Sequence, residues 1–216
     1  MQAILIFDFD GVLADSLDLF EACLGDACAD AGVARPVDRD AFLRLFDANL
    51  YDGLRAAGVS DAARQILVAA LRRRLEAHAA AYRLWPGIPD VLARLAQSHA
   101  VAIVTSGISG VVAGVLQRHG VTCVGEILGA EQGAGKVEKI RAVAGRMAGV
   151  PAWYVGDTLG DMIEGRMAGA RTVAAAWGWH HAAHLRRAMP DREASSPADL
   201  TRLFTADGPR NPATRK

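Results

Sequence analysis

Apolar and polar positions change rhythm several times along the chain. Ile4-Leu5-Ile6-Phe7 is an unbroken apolar run ending at Asp8, and a short run bounded in this way predicts a buried strand. From Leu17 onward, Phe20, Leu24, Ala27 and Ala31 recur at helical spacing, with Asp15-Ser16 as a cap and Gly32 as a stop. The pattern then stays helical from Asp38 to about Tyr82. One helix is expected over Ala41 to Leu50. A longer one is expected from Ser60-Asp61 through Ile66, Leu67, Ala70, Leu71 and Leu75. Leu84-Trp85-Pro86-Gly87 punctuates the chain. Beyond it strand and helix alternate. Helices are expected after Pro89, from Ser109, over Val137 to Met147 and over Asp161 to Met167. Strands are expected over Val101 to Thr105, Val121 to Leu128, Trp153 to Val155 and Thr172 to Ala176. Ser196-Pro197 opens a last short helix, and a frayed tail is expected from about Thr205.

Alternation of this kind predicts an α/β fold with a parallel sheet, helices on both faces and right-handed crossovers. Some forty helical residues between the first two strands exceed an ordinary crossover and predict an inserted helical domain. The expected division is residues 1–14 and 85–216 for the α/β core and 15–84 for the insertion.

Composition narrows the function classes. A chain of 216 residues that is 51% apolar can bury a core. Lys and Arg together equal Asp and Glu at 24 each, so no basic nucleic-acid surface is expected. No run of about 18 apolar residues predicts a membrane span. The first residues lead directly into a strand with no basic, apolar leader, which suggests a cytoplasmic protein. Cys23, Cys28 and Cys123 are too scattered for a disulfide framework or a zinc site. The lysines are Lys136, Lys139 and Lys216.

Chemistry gathers at the predicted strand ends. Asp8 and Asp10 leave the first strand on the same side, because side chains alternate along a strand. The carboxyl end of a strand is where open α/β sheets place ligands. Two buried like charges resist ionising, and a bound cation or a stored proton would relieve them. Thr105-Ser106-Gly107 ends another strand in hydroxyls and backbone amides that can bind phosphate oxygens. Gly133-Ala134-Gly135-Lys136 fails the nucleotide-binding loop pattern, because Ala130 and Val137 occupy the positions that need Gly and Ser or Thr. Asp157 and Asp161 stand four apart, on one face of a helical turn. Beside Asp8 and Asp10 they would complete an oxygen-rich site of the kind that holds Mg²⁺. His180-His181 and His184 have a spacing a metal could use, but no acid or cysteine lies near them in sequence. Trp177-Gly178-Trp179 reads as packing around the last strand, and Arg72-Arg73-Arg74 as a solvated helix face.

Asp8-Phe9-Asp10-Gly11 resembles the first motif of the haloacid dehalogenase superfamily in its phosphatase form. Thr105-Ser106-Gly107, Lys136 and Gly156-Asp157-Thr158-Leu159-Gly160-Asp161 resemble the second, third and fourth motifs, in order, over roughly residues 2 to 204. The chain is most similar to the subgroup with a small helical cap, which includes phosphoglycolate phosphatase and β-phosphoglucomutase. The resemblance implies a Rossmann-like core, a helical cap over residues 15–84 and hydrolysis of a small phosphorylated metabolite through a phospho-aspartate. It implies Asp8 as nucleophile and Asp10 as acid and base. Thr105 and Lys136 would bind the phosphoryl oxygens, with Gly11, Ser106 and Gly107 beside them. Mg²⁺ would be held by Asp8, Asp10 and Asp157, with Asp161 as a further ligand or as the group that orients the metal's waters or Lys136. Family members often carry Pro after the third-motif lysine; here Val137 follows and Lys139 is near. Lys136 is expected in the site and Lys139 on the surface. A dehalogenase would lack the second acid, and a phosphonoacetaldehyde hydrolase would need a lysine within residues 15–84, where none occurs. A phosphomutase keeps the same core and remains the rival reading, as does a catalytically dead binding module. Arg44 and Arg55 could read an anionic group on the substrate, and the protein is expected to be a monomer or a homodimer.

Overall fold

The computed structural model describes residues 1–205; most of the tail expected to fray lies outside them. The elements are β1 (Ile4–Phe7), α1 (Leu17–Asp30), α2 (Arg39–Arg44), α3 (Leu50–Ala56), α4 (Asp61–Ala77), α5 (Ile88–Leu95), β2 (Ala100–Val104), α6 (Ser109–Arg118) and β3 (Glu126–Leu128). They continue with α7 (Lys136–Ala144), β4 (Ala152–Gly156), α8 (Leu159–Met167), β5 (Arg171–Ala175), α9 (Ala182–Leu185), β6 (Arg192–Ala194) and α10 (Pro197–Phe204). The six strands form one sheet in the order β3-β2-β1-β4-β5-β6, every neighbouring pair parallel. This is a Rossmann-like α/β fold.

The unbroken apolar run of β1 has a physical reason. All four of its residues are buried, because helices cover both faces of the sheet. Ile4 and Ile6 join Ile140, Val143 and Tyr154 on one face. Leu5 and Phe7 join Leu92, Leu95, Trp153 and Leu200 on the other.

Strand β1 is the switch point, since the chain passes to β2 on one side and to β4 on the other. The carboxyl ends of β1, β2 and β4 therefore stand side by side, and a crevice opens there. Between β1 and β2 the chain makes its helical excursion. It leaves and returns along adjacent paths: Ala14 bridges Leu84, the Asp15 amide donates to the Arg83 carbonyl, and the Trp85 amide donates to the Leu13 carbonyl. Within the excursion α1 packs along α4.

Four elements differ from expectation. The helix expected over Ala41 to Leu50 is two helices. Asp38 caps α2 by accepting from the Ala41 amide at 2.7 Å, and Asn49 caps α3 by accepting from the Asp52 amide at 3.0 Å. The segment between them spends its carbonyls on the core: the Phe46 carbonyl accepts from the Gly160 amide at 3.1 Å. The strand expected over Val121 to Leu128 shortens to β3, and β6 and α9 were not anticipated.

Candidate active site

Asp8 and Asp10 follow β1, and Phe9 between them turns into the core, 1% exposed and against Tyr82. The loop beyond is tightly tied. The Leu13 and Ala14 amides both donate to the Phe9 carbonyl, and the Gly11 amide donates to Ala14. The Trp85 indole donates to the Gly11 carbonyl at 3.0 Å and the Trp177 indole to Val12 at 3.1 Å. Gly11 has φ +73°, and a Cβ there would stand 1.9 Å from Asp157 Oδ2. Only glycine meets both demands. Gly11 does not line the cavity and its amide is already used, so its expected place among the phosphate-binding groups gives way to a steric role.

Thr105, Ser106 and Gly107 follow β2 and line the same cavity. The Thr105 hydroxyl is buried and accepts from the Gly107 amide at 2.9 Å. Asp157 follows β4 and is fully buried. Its Oδ2 accepts from the Trp179 amide at 2.7 Å, while Oδ1 has no partner. Gly178 allows this approach, since a Cβ there would lie 2.3 Å from the Asp157 Cβ. The Trp177-Gly178-Trp179 stretch, expected only to pack around the last strand, also orients a carboxylate.

Lys136 opens α7 and reaches Asp8 Oδ2 at 2.8 Å and Asp161 Oδ1 at 2.7 Å. Lys139 is not on the surface. It is 5% exposed, and its Nζ donates to the Thr105 carbonyl at 2.8 Å and the Gly129 carbonyl at 2.9 Å. The reason is helical rotation: residues three apart share a face, so the turn that aims Lys136 at the strand ends aims Lys139 there too.

Asp161 lies in a capping box with Thr158 at the start of α8. Its Oδ2 accepts from the Asp157 and Thr158 amides and the Thr158 hydroxyl, and its Oδ1 accepts from Lys136 and the Tyr154 hydroxyl. Carboxylate oxygens of Asp8, Asp157 and Asp161 lie within 4.8 Å of one another. Asp161 is nevertheless saturated with donors. The open carboxylate oxygens are Asp10 Oδ1 and Asp157 Oδ1, both buried and unpartnered. A buried bare oxygen such as Asp157 Oδ1 fits a hard divalent cation, and that of Asp10, whose carboxyl is pushed up by burial, fits a stored proton. Asp161 is therefore better suited to position Lys136 than to ligate metal.

Burial pushes the Asp8 carboxyl up to about 7, against the opposing charge of Lys136. Burial likewise pushes Asp10 to about 6, with the Ser16 and Tyr82 hydroxyls opposing. Asp157 is raised by burial and by the charge of Asp161. Burial would raise Asp161 as well, but Lys136 and the Thr158 donors outweigh it and hold Asp161 below the usual range. Lys136 stays charged because Asp161 and Asp8 together outweigh its desolvation.

Asp8, Asp10, Thr105, Ser106, Gly107, Lys136, Asp157 and Asp161 all line one cavity of about 660 Å³. A model of the haloacid dehalogenase-like hydrolase family matches residues 5–175, which spans the first, second and fourth acidic or hydroxyl strand ends and Lys136. The chain belongs to the haloacid dehalogenase-like hydrolases. It is 33% identical over 212 residues to a phosphoglycolate phosphatase of Synechococcus elongatus, covering 95% of this chain and 98% of that one. A haloacid dehalogenase-like hydrolase from Streptococcus pneumoniae has the same fold, with TM-score 0.78 and 24% identity over 94% of this chain and 98% of that chain. A haloacid dehalogenase-like hydrolase from Bacteroides fragilis matches with TM-score 0.80 and 20% identity over 93% of this chain and all of that one.

As a haloacid dehalogenase-like hydrolase the chain has supports that its motifs do not spell out. Tyr154, Lys139, Tyr82 and the Trp179 amide each brace a motif residue. Tyr154 stands in β4, two residues before Gly156 of the fourth motif, and its hydroxyl contact with Asp161 reveals its use. Asp47, His180 and His184 bring ligand atoms within 4.8 Å of one another. His180 is nonetheless spent on main-chain bonds, accepting from the Leu159 amide at Nδ1 and donating to the Leu43 carbonyl at Nε2. Arg74 pairs with Asp30 as part of a solvated face, but Arg72 lines the cavity. Arg44 and Arg55 do not. Among the described residues, no helix is long and apolar enough to cross a membrane.

Proposed function

We propose that the protein is a Mg²⁺-dependent phosphatase acting on a small phosphate monoester, of the phosphoglycolate phosphatase kind, through a phospho-Asp8 intermediate. The observation that carries the reading is the convergence of Asp8, Asp10 and Lys136 in one buried cavity with two unpartnered carboxylate oxygens. Asp8 attacks phosphorus and the bond to the ester oxygen breaks, which divides one hard displacement into two easier ones. Asp10, held near neutrality by burial, gives its proton to the departing oxygen and then takes one from the water that attacks phospho-Asp8. Lys136, with Thr105 and the backbone beyond it, binds the non-bridging oxygens. Asp161 keeps Lys136 in place. The cation would be held by the carboxylates of Asp8 and Asp157 and the main-chain carbonyl of Asp10. When bound it supplies positive charge that lowers the nucleophile's pKa and offsets the charge of the phosphate. The helices of residues 15–84 act as a cap that excludes water.

The test is phosphate release from a panel of monoesters that includes phosphoglycolate, with Mg²⁺ and with chelator. Release that needs Mg²⁺ and is abolished in a folded Asp8→Asn variant supports the reading. Near-normal turnover by that variant overturns it.

A further inference from the structure

The cavity over Asp8 has two unlike halves. Its floor is charged, formed by the acids and Lys136. Its walls are largely apolar: Leu50, Val68, Leu71, Leu75 and Val111 line it from α3, α4 and α6. Leu50, Val68 and Val111 are only partly buried. Apolar side chains facing an enclosed space leave apolar area that a ligand can cover. Tyr51, on the same side as Leu50, is 40% exposed.

The charges available to a leaving group are few. Lys136 is held by two carboxylates, and Lys139 by two carbonyls. On the helical wall stand Arg72 and, one turn further along α4, Glu76. That pair gives the wall no net charge. A second anionic group on the substrate would meet Arg72 only with the Glu76 carboxylate one turn away, and elsewhere on the wall it would be desolvated against aliphatic side chains, which is costly. The volume points the same way. A phosphoryl group with a two-carbon acid fills a small part of about 660 Å³, whereas cavities of this size hold far larger ligands.

We propose that the preferred substrate is a phosphate monoester whose leaving alcohol carries an uncharged, apolar body of several carbons, seated between Val68 of α4 and Val111 of α6. The inference rests on the phosphatase reading above and concerns only which ester is taken. The step is the one already balanced there: the ester oxygen leaves as the alcohol with the proton of Asp10, and water supplies the oxygen of the released phosphate.

The experiment measures kcat/KM with Mg²⁺ for ethyl, butyl, hexyl and 2-phenylethyl phosphates and for phosphoglycolate. The alkyl leaving groups have similar acidity, so the series reads burial. The expected result is a rise of about fourfold per added methylene until the chamber fills, from about 0.8 kcal/mol each, with phosphoglycolate below the longer esters. Val68→Gln, at a half-buried position of a helix that accepts glutamine, should lower the hexyl-to-ethyl ratio by about tenfold. Arg72→Ala should leave that ratio unchanged. A flat or falling series with phosphoglycolate preferred overturns the inference while the phosphatase reading stands. Loss of turnover in Arg72→Ala with no effect of Val68→Gln overturns it in the same way. No release from any ester overturns the phosphatase reading, and the inference with it. The wild-type series decides the matter even where Val68→Gln fails to fold.

Discussion

Lys136 and Lys139 are three positions apart, and their ammonium groups end on different partners: one on carboxylates, the other on carbonyls. The difference fixes what each removal does. Lys136→Ala takes the lysine that bridges Asp8 and Asp161 and leaves carboxylates facing one another. A loss in kcat of about a hundredfold or more is expected, as for the removal of one fixed oxyanion donor. Lys139→Ala strips the donor from two buried carbonyls, each costing about 1–3 kcal/mol when left bare. Its main effect should be a lower melting temperature, with a smaller loss of turnover through the loop of Thr105. Phosphate release and thermal melting followed by circular dichroism, measured on both variants, check the pair. Equal losses of kcat with equal melting temperatures would contradict the division. The lysine that the sequence assigned to the surface shows where periodicity stops short. Spacing tells which residues share a face, but which side of α7 meets the sheet is decided by packing of Ile140 and Val143.

At the scale of elements, α8 carries the greatest demand, since it must begin in the site and still be a stable helix. Its capping box satisfies both needs, because Asp161 serves the Thr158 amide and Lys136 at once. Thr158→Ala removes one half of the box. It should cost about 1 kcal/mol of stability and free Asp161 to shift, so turnover should fall with the melting temperature. Unchanged melting would show that the box contributes nothing. Most of the elements were legible in the sequence because the buried strands are continuous apolar runs and the helices have caps such as Ser60, which accepts from the Ala63 amide. The break between α2 and α3 was not legible, because it depends on the Phe46 carbonyl meeting Gly160, more than a hundred positions away. Strand β6 was hidden for another reason. Arg192-Glu193-Ala194 is a three-residue edge strand with two charges, which alternation rules read as loop. Asp8, Asp10 and Asp157 were legible because they follow the ends of recognisable strands, and Asp161 because it lies four residues beyond Asp157; the uses of Tyr82, Tyr154 and the Trp179 amide were not, since nothing local marks them.

For the molecule as a whole, the crowded acids tie stability to pH. Asp8 and Asp10 have folded-state pKa values of about 7 and about 6, above the ordinary carboxylate value near 4. Over the window from about pH 4 to 7 the unfolded chain has released these protons while the metal-free fold still holds them. Stability therefore falls as pH rises through that window. Asp161, held low, acts in the opposite sense and only at more acid pH. The chelated protein should melt lower at pH 7.5 than at pH 5.5. Added Mg²⁺ should raise the melting temperature more at pH 7.5 than at pH 5.5, because ligation requires the ionised forms. Melting curves at the two pH values, with chelator and with Mg²⁺, check the sign; a metal effect that is larger at pH 5.5 would contradict it.

The parallel order of the sheet has a consequence for how the chain reaches its working state. Asp8, Thr105 and Asp157 end neighbouring strands, yet each pair is joined through a long stretch of chain and at least one crossover. None of these neighbours can be brought together by a local hairpin, and each meeting carries the loop-closure entropy of its whole intervening segment. Pairing of β1 with β2 brings Asp8 and Thr105 together, but the centre is complete only when β4 has docked with Asp157 as well. The ability to turn over substrate therefore arrives late in folding, with the last of the three strands to dock, and serves as a clock for completion of the sheet.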